Sequence, residues 1–237
     1  WLFDLIPVSW LPHLSLCLML LIWFNTLLIQ PPPTIPDAKQ QDQGFLQQLK
    51  RHQVLVFFGV MFLVQLGHGP YYTFYSVLME DLGYSRSEIG VLWAIGVIAE
   101  VVVFIYMPQL FERYSYRLLM ISALFLTALR WALIAFFPDL APVMLFAQTL
   151  HAASFAVMHA VGIALVHHYF TERSYGQAQA LFSSAGFGAG GAVGALLSGL
   201  LWQDAGSLAT FMIASATAVL ALLLTVIWIY PEKAQQN

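Results

Sequence analysis

One stretch of the sequence decides the fold: Gly90-Val-Leu-Trp-Ala-Ile-Gly-Val-Ile-Ala-Glu-Val-Val-Val-Phe-Ile-Tyr-Met107. An apolar run of this length is long enough to cross the hydrocarbon core of a bilayer as a helix. A single carboxylate, Glu100, lies near its middle. An ionisable side chain at that depth is costly and marks a functional site by default. The stretch therefore predicts a transmembrane helix whose carboxylate needs a partner elsewhere in the chain.

The composition of the whole chain indicates a polytopic membrane protein. Of its 237 residues, 60% are hydrophobic and only 9% are charged, and the mean hydropathy is +0.76. Soluble domains carry about 25% charged residues. The formal charge of −3 is too small to indicate a charged partner, and we expect no nucleic-acid partner. A single cysteine, Cys17, excludes a disulfide framework and a thiolate metal site.

Apolar stretches long enough to cross a membrane occur seven times and predict an all-α fold. A polar, proline-rich segment separates the first stretch from the other six, so the sequence predicts four parts. These are a single helix at residues 1–29, a cytoplasmic linker at 30–52, a six-helix bundle at 53–230 and a tail at 231–237. The predicted spans are Leu5–Ile29, Gln53–Met79, Ile89–Tyr106, Leu118–Phe137, Ala141–His168, Ala178–Trp202 and Leu208–Tyr230.

The basic residues between the spans predict the orientation in the membrane. Cytoplasmic loops carry an excess of Lys and Arg. Seven basic residues follow odd-numbered spans and so lie on one side of the membrane. Only Arg86 lies on the other side, and Arg130 lies inside a span. The linker and the C-terminal tail are therefore predicted to be cytoplasmic. The basic residues on that side are Lys39, Lys50, Arg51, Arg113, Arg117, Arg173 and Lys233.

Four ionisable side chains on successive spans lie at a similar depth. A helix rises about 1.5 Å per residue, which places Glu100, Arg130, His151 and His68 near the middle of the bilayer. Glu100 and Arg130 are expected to form an ion pair, which has either a static structural role or a part in turnover. The histidines are either cavity residues or hydrogen-bonded core residues. No spacing completes a histidine metal site, so we expect no metal and no cofactor.

Two glycine-containing segments predict an interrupted helix in one span and close helix packing in another. Gly67-His-Gly-Pro70 is expected to interrupt the second span, because proline removes a helix hydrogen bond, and broken helices line transporter cavities. Tyr71, Tyr72 and Tyr75 would then form an aromatic cavity wall, with a simple packing kink as the alternative. In the sixth span, Gly186, Gly190 and Gly194 recur every four residues and predict close packing against another helix. Ser87 is predicted to cap the third span.

Several motifs resemble one transporter family. They are Gly67-His-Gly-Pro-Tyr-Tyr-Thr-Phe-Tyr-Ser76, Ile89-Gly-Val-Leu-Trp-Ala-Ile-Gly-Val-Ile-Ala-Glu100, Leu129-Arg-Trp131, Gln148-Thr-Leu-His-Ala-Ala-Ser-Phe155 and Gln179-Ala-Leu-Phe-Ser-Ser184. Together they resemble the C-terminal half of the 3-phenylpropionate-transporter-like group of the major facilitator superfamily. The resemblance implies that the seven spans are helices six to twelve, and that helices one to five are absent from this chain.

The same resemblance implies roles for individual residues. Helices seven and ten line the central cavity in that superfamily, which implies that His68, Tyr71, Tyr72, Tyr75, His151, Ser154 and His159 face a substrate. The Glu, Arg and His on helices eight, nine and ten are similar to those of lactose permease, a proton symporter. This implies that Glu100, Arg130 and His151 form the proton-coupling set.

These features predict a transporter and not an enzyme. The leading hypothesis is proton-coupled symport of a small organic solute such as an aromatic carboxylate, by alternating access, in the bacterial inner membrane. Its partners would be the solute, protons, membrane lipid and the N-terminal half of the same transporter. A nucleoside or sugar symporter and a non-functional half-transporter are the alternatives. A seven-helix receptor or photoreceptor is disfavoured because the last span of this chain has no lysine for a retinal Schiff base. A membrane enzyme using His151 and His159 is disfavoured because no acidic residue is paired with them.

Overall fold

The computed structural model of the protein describes residues 8–28 and 44–230, and every regular element in these ranges is helical. The helices fall into two compact units, one holding α1 and the other holding α2 to α9. Their bounds are α1 Leu11–Leu28, α2 Phe45–Leu49, α3 His52–Asp81, α4 Arg86–Arg113, α5 Tyr116–Phe136, α6 Ala141–Thr149, α7 Met158–Tyr169, α8 Tyr175–Leu181 and α9 Gly191–Trp228. The predicted tail at 231–237 and most of the predicted linker at 30–52 lie outside the described residues.

The helical runs of the second unit agree with the predicted spans. Among the described residues, five runs are long and apolar enough to cross a membrane. The last of them, Glu172–Trp228, contains Gly206 at φ 76° and ψ −179°, which divides it into two helices between the two predicted spans. The chain is thus an all-α polytopic membrane protein. The other runs are His52–Asp81, Arg86–Arg113, Tyr116–Phe136 and Ala141–Tyr169.

Helix α3 forms the centre of the second unit and carries two apolar clusters. Its first half, from Val54 to Val64, packs in one cluster, and its second half, from Tyr71 to Met79, packs in another. Between them lie the buried polar side chains of Gln65 and His68. Because buried polar groups must find hydrogen-bond partners, this level of the bundle collects the polar side chains of neighbouring helices.

The expected interruption at Gly67-His-Gly-Pro70 is wrong, because α3 is helical without a break from His52 to Asp81. Pro70 cannot donate a backbone hydrogen bond to the carbonyl group of Leu66. Gly194 of α9 packs directly on that carbonyl group, and a Cβ atom at Gly69 would overlap the backbone of Gly194. The glycines therefore allow α3 and α9 to approach closely at the level of Pro70.

Two π-helical segments interrupt the α-helical runs of the second unit. Segment π1 covers Ala153–Val157, between α6 and α7, and segment π2 covers Phe182–Gly190, between α8 and α9. The sequence analysis predicted ordinary helices there and missed both. A π-helix is rare and often marks a functional site, because its wider turn re-aims the side chains that follow.

The residue that caps the start of α4 differs from the predicted one. The capping residue is Ser85 and not Ser87, since the Ser85 hydroxyl accepts a hydrogen bond from the backbone N–H of Glu88. The Glu88 carboxylate in turn accepts a hydrogen bond of 2.8 Å from the backbone N–H of Ser85. This reciprocal capping box satisfies two donors that the start of a helix would otherwise leave free.

Candidate functional site

Glu100, Arg130 and His151 come together from three different helical runs. Arg130 of α5 is completely buried, and His151, which precedes π1, is 4% exposed. The Glu100 side chain of α4 retains 14% of its accessible surface. The site therefore has an inner end at the guanidinium and an outer end at the carboxylate.

The expected direct ion pair between Glu100 and Arg130 is replaced by a chain of three residues. The Oε1 atom of Glu100 lies 2.6 Å from Nε2 of His151, and Nδ1 of the same ring lies 2.7 Å from a terminal nitrogen of Arg130. The prediction of a direct pair was wrong because the imidazole lies between the two charges. Gly96, one turn before Glu100, makes this possible, since a Cβ atom there would lie 3.3 Å from the His151 ring.

The hydrogen bonds of this chain define the tautomer of His151. A guanidinium has five donors and no acceptor, so Arg130 must donate to Nδ1 of His151. The imidazole then carries its proton on Nε2 and donates it to the Glu100 carboxylate. A neutral histidine thus connects a buried cation to a carboxylate at the edge of the site. An ionised Glu100 balances the charge of Arg130 through this ring, which is what a buried charge requires.

Neutral groups provide the remaining contacts of Arg130. Its guanidinium donates to Ser154 Oγ at 3.0 Å and to Gln148 Oε1 at 3.4 Å. It also lies over two aromatic rings, 4.2 Å from the centre of Tyr71 and 4.4 Å from that of Trp131. The planar cation is therefore held by stacking and hydrogen bonds, with Glu100 as its nearest compensating charge along the hydrogen-bonded chain.

The other predicted cavity residues divide into an inner and an outer group. Tyr71, Tyr75 and His68 are fully buried; Tyr71 donates to Gln148 at 2.8 Å, and Nδ1 of His68 lies 2.8 Å from the carbonyl oxygen of Val64. In the outer group, Tyr72 is 51% exposed and His159 is half-buried. The structure therefore brings Tyr71 and Ser154 into contact with Arg130, and it leaves Tyr72 and His159 accessible.

Several buried polar atoms around Arg130 have no hydrogen-bond partner among the described residues. Such atoms are uncommon in proteins, because each one costs the free energy of its lost hydration. These unpaired polar atoms therefore make the surroundings of Arg130 costly to the stability of the fold. The atoms are Nε of Arg130, Nε1 of Trp131, Nε2 of Gln148, Nε2 of His68 and the hydroxyl group of Tyr75.

The sequence of the chain matches the MFS_1 like family over residues 1–213. The chain belongs to this family. It is also 28% identical over 226 residues to a protein of Escherichia coli (strain K12) described as "Probable 3-phenylpropionic acid transporter". That match covers 94% of this chain and 58% of the relative, so the chain spans little more than half of that protein's length.

Membership of this major facilitator family agrees with the resemblance drawn from the motifs. It makes the chain an integral membrane protein of a transporter family. Among the residues that the structure describes, no group of three or more His, Cys, Asp or Glu side chains is placed to hold a metal ion.

The predicted packing glycines of this family member lie along α3. A Cβ atom at Gly190 would come within 2.8 Å of the carbonyl oxygen of Phe62, and one at Gly194 would overlap that of Leu66. At Gly186 the nearest atom, in Met61, would be 3.9 Å away. Two of the three glycines are therefore required for close packing, and Gly186 is not.

Sequence reasoning missed Gln148 and Trp131 as members of the site. Gln148 lies three residues before His151, so that both face the same side of one helix, and this spacing could have identified it. Trp131 gave no such signal, because adjacent residues on a helix point in different directions. Its contact with Arg130 arises because the cation folds back over its neighbour's ring.

Proposed function

We propose that this chain forms the C-terminal half of a proton-coupled symporter for a small organic acid, working by alternating access. In this proposal residues 53–230 are the C-terminal bundle, residues 1–29 are the last helix of the N-terminal bundle, and residues 30–52 link them. The observation that supports it most directly is the chain of contacts from buried Arg130 through His151 to Glu100. A second half facing this bundle would close the cavity.

The proposed coupling follows from charge balance. While Glu100 is ionised, it compensates the buried charge of Arg130 through His151. When Glu100 takes up a proton, the Nε2–H group of His151 loses its anionic acceptor, and a charge-assisted hydrogen bond becomes a weaker one. Arg130 is then a buried cation without a counter-charge, which is strongly unfavourable. A solute carboxylate restores the balance, so that proton and anion bind together.

The substrate class is proposed from three features. The site contains an arginine, whose planar fork matches a carboxylate. Aromatic side chains surround it, among them Tyr71 and the accessible Tyr72. The name of the Escherichia coli relative refers to 3-phenylpropionic acid, an aromatic carboxylate. We therefore propose a small aromatic acid as solute, and we place the protein in the bacterial inner membrane with its C-terminus cytoplasmic.

Glu100→Gln tests the coupling. We reconstitute the complete gene product that contains this chain into vesicles and measure uptake of radiolabelled 3-phenylpropionate. The amide imitates the protonated carboxyl group but cannot release a proton. Uptake driven by a proton gradient should therefore be lost, while exchange of labelled for unlabelled solute continues. Glu112→Gln is the matched control, because Glu112 lies exposed near the end of the same helix. Proton-driven uptake at the wild-type rate in Glu100→Gln vesicles would contradict the proposal.

A further inference from the structure

A cluster of aromatic side chains surrounds His159 and has no part in the charge balance described above. The centre of the His159 ring lies 5.6 Å from that of Phe187, 5.8 Å from Phe182, 6.2 Å from Phe155 and 6.5 Å from Phe104. The Phe155 and His159 rings are nearly parallel, at 7°. These five residues are called the His159 cluster below.

The two π-helical segments build most of this cluster. Phe155 belongs to π1, and both Phe182 and Phe187 belong to π2. In a regular α-helix, residues five apart point away from one another, whereas one π-turn brings them to the same side. Accordingly, the rings of Phe182 and Phe187 meet at 6.0 Å. The π-helical turn of π2 thus brings the rings of Phe182 and Phe187 to the same side as His159.

The His159 cluster adjoins the buried core through Phe182, and its other four rings keep part of their surface accessible. Phe182 is buried at 1% exposure and forms its floor, while Phe104 is 39% exposed. Phe155, His159 and Phe187 are half-buried. Parts of these aromatic rings are thus exposed at the surface of the second unit, and flat rings favour offset-stacked or edge-to-face partners.

The His159 cluster begins where the charged chain ends. Phe155 follows His151 by one turn, and the two rings lie 5.7 Å apart. Phe104 follows Glu100 by one turn on α4, and its ring lies 6.5 Å from that of His159, which follows Phe155 by one turn. The row Glu100–Phe104 and the row His151–Phe155–His159 therefore run in the same direction, with a polar pair at one end and aromatic pairs at the other.

We infer that the His159 cluster is the subsite for the aryl ring of the transported acid. This inference rests on the proposed function, since the carboxylate of the same molecule would lie at the Glu100–His151–Arg130 end. A carboxylate joined to a phenyl ring by a two-carbon chain has the polar and aromatic ends in the order that the two rows require. Phe155 and Phe187 then determine specificity for an aromatic ring over a saturated one of similar size.

Two matched acids test this assignment: 3-phenylpropionate and 3-cyclohexylpropionate, which share the carboxylate and the chain length. Isothermal titration of the complete gene product in detergent gives the ratio of their dissociation constants. Each aromatic contact should contribute roughly 2- to 12-fold to that ratio. In Phe155→Leu and in Phe187→Leu the preference for the phenyl acid should fall by about that factor. Because the ratio is measured within each variant, a general loss of stability does not imitate the result.

Phe74→Leu is the control, because Phe74 is a half-buried phenylalanine that stacks on Trp202, at 4.6 Å, and not on the His159 cluster. Its ratio should equal that of the wild type. The inference is overturned if wild-type protein shows no preference for the phenyl acid, or if all three variants change the ratio equally. Aryl preference with uptake indifferent to the proton gradient would instead refute the proton coupling of the proposed function, while binding of the acid at this site, on which the inference rests, would stand. Proton-driven uptake without aryl preference would do the reverse.

Discussion

Replacing Gly194 with alanine should separate the two central helices of the bundle. A Cβ atom at this position would overlap the carbonyl group of Leu66 in α3. The atoms that it meets belong to the backbone, so no side-chain rotation relieves the contact, and α9 must move away from α3. Gly191→Ala is the matched control on the same helix, since a Cβ atom there meets nothing within 4 Å.

The expected difference follows from two opposing contributions. Alanine is favoured over glycine inside a helix by about 1 kcal/mol, so Gly191→Ala should be neutral or stabilising. Gly194→Ala has the same gain from helix propensity, but it also carries the cost of overpacking a well-packed interior, which is roughly 1–3 kcal/mol. We expect Gly194→Ala to be less stable than Gly191→Ala by about 2 kcal/mol. Gly190→Ala should be intermediate, because its Cβ atom would lie 2.8 Å from the carbonyl oxygen of Phe62.

Thermal unfolding in detergent, followed by intrinsic tryptophan fluorescence, measures the difference. For a chain of this size, 1 kcal/mol shifts the midpoint by roughly 2–4 °C, so Gly194→Ala should unfold about 4–8 °C below Gly191→Ala. Gly186→Ala should behave like the control, because the nearest atom to its Cβ would be 3.9 Å away. Equal midpoints for Gly194→Ala and Gly191→Ala would refute the close packing of these helices.

Two further predictions concern the guanidinium and the start of α4. Arg130→Lys keeps the charge but loses the planar group that lies over Tyr71 and Trp131, so proton-driven uptake should fall at least about tenfold in the vesicle assay. Wild-type uptake by this variant would show that a point charge suffices. Ser85→Ala removes the helix cap and should lower the free energy of unfolding by about 1 kcal/mol, with the affinity for solute unchanged. Ser87→Ala should leave stability unaltered, and the opposite order of the two serines would contradict the cap assignment.

The membrane spans were predictable because length and hydropathy are properties of a local stretch. The boundary between the last two spans was predicted at residues 203–207, and the structure breaks the helix at Gly206. Counting residues along each helix likewise predicted that Glu100, Arg130 and His151 lie at one depth, and the structure brings all three into one chain of contacts. The rise per residue is constant, so depth is readable from the sequence.

The order of contacts within the site was not predictable in this way. Which of the three side chains lies between the other two depends on how far each helix is rotated about its own axis. Here the absence of a side chain at Gly96 lets His151 pack against α4, between the two charges. The π-helical turns were missed for a similar reason. A turn whose backbone hydrogen bonds join residues five apart leaves the overall hydropathy of a span unchanged.

By itself, the sequence determined that this protein is an all-α membrane protein of a transporter family, with one carboxylate deep in an apolar helix. Hydrophobicity and helix length dictate this, since backbone polar groups in a bilayer must be satisfied within each helix. Only the tertiary structure decided that His151 connects Glu100 to Arg130, and that rings from two π-segments gather around His159. These relations depend on side-chain direction and close packing between helices, which no single stretch of sequence contains.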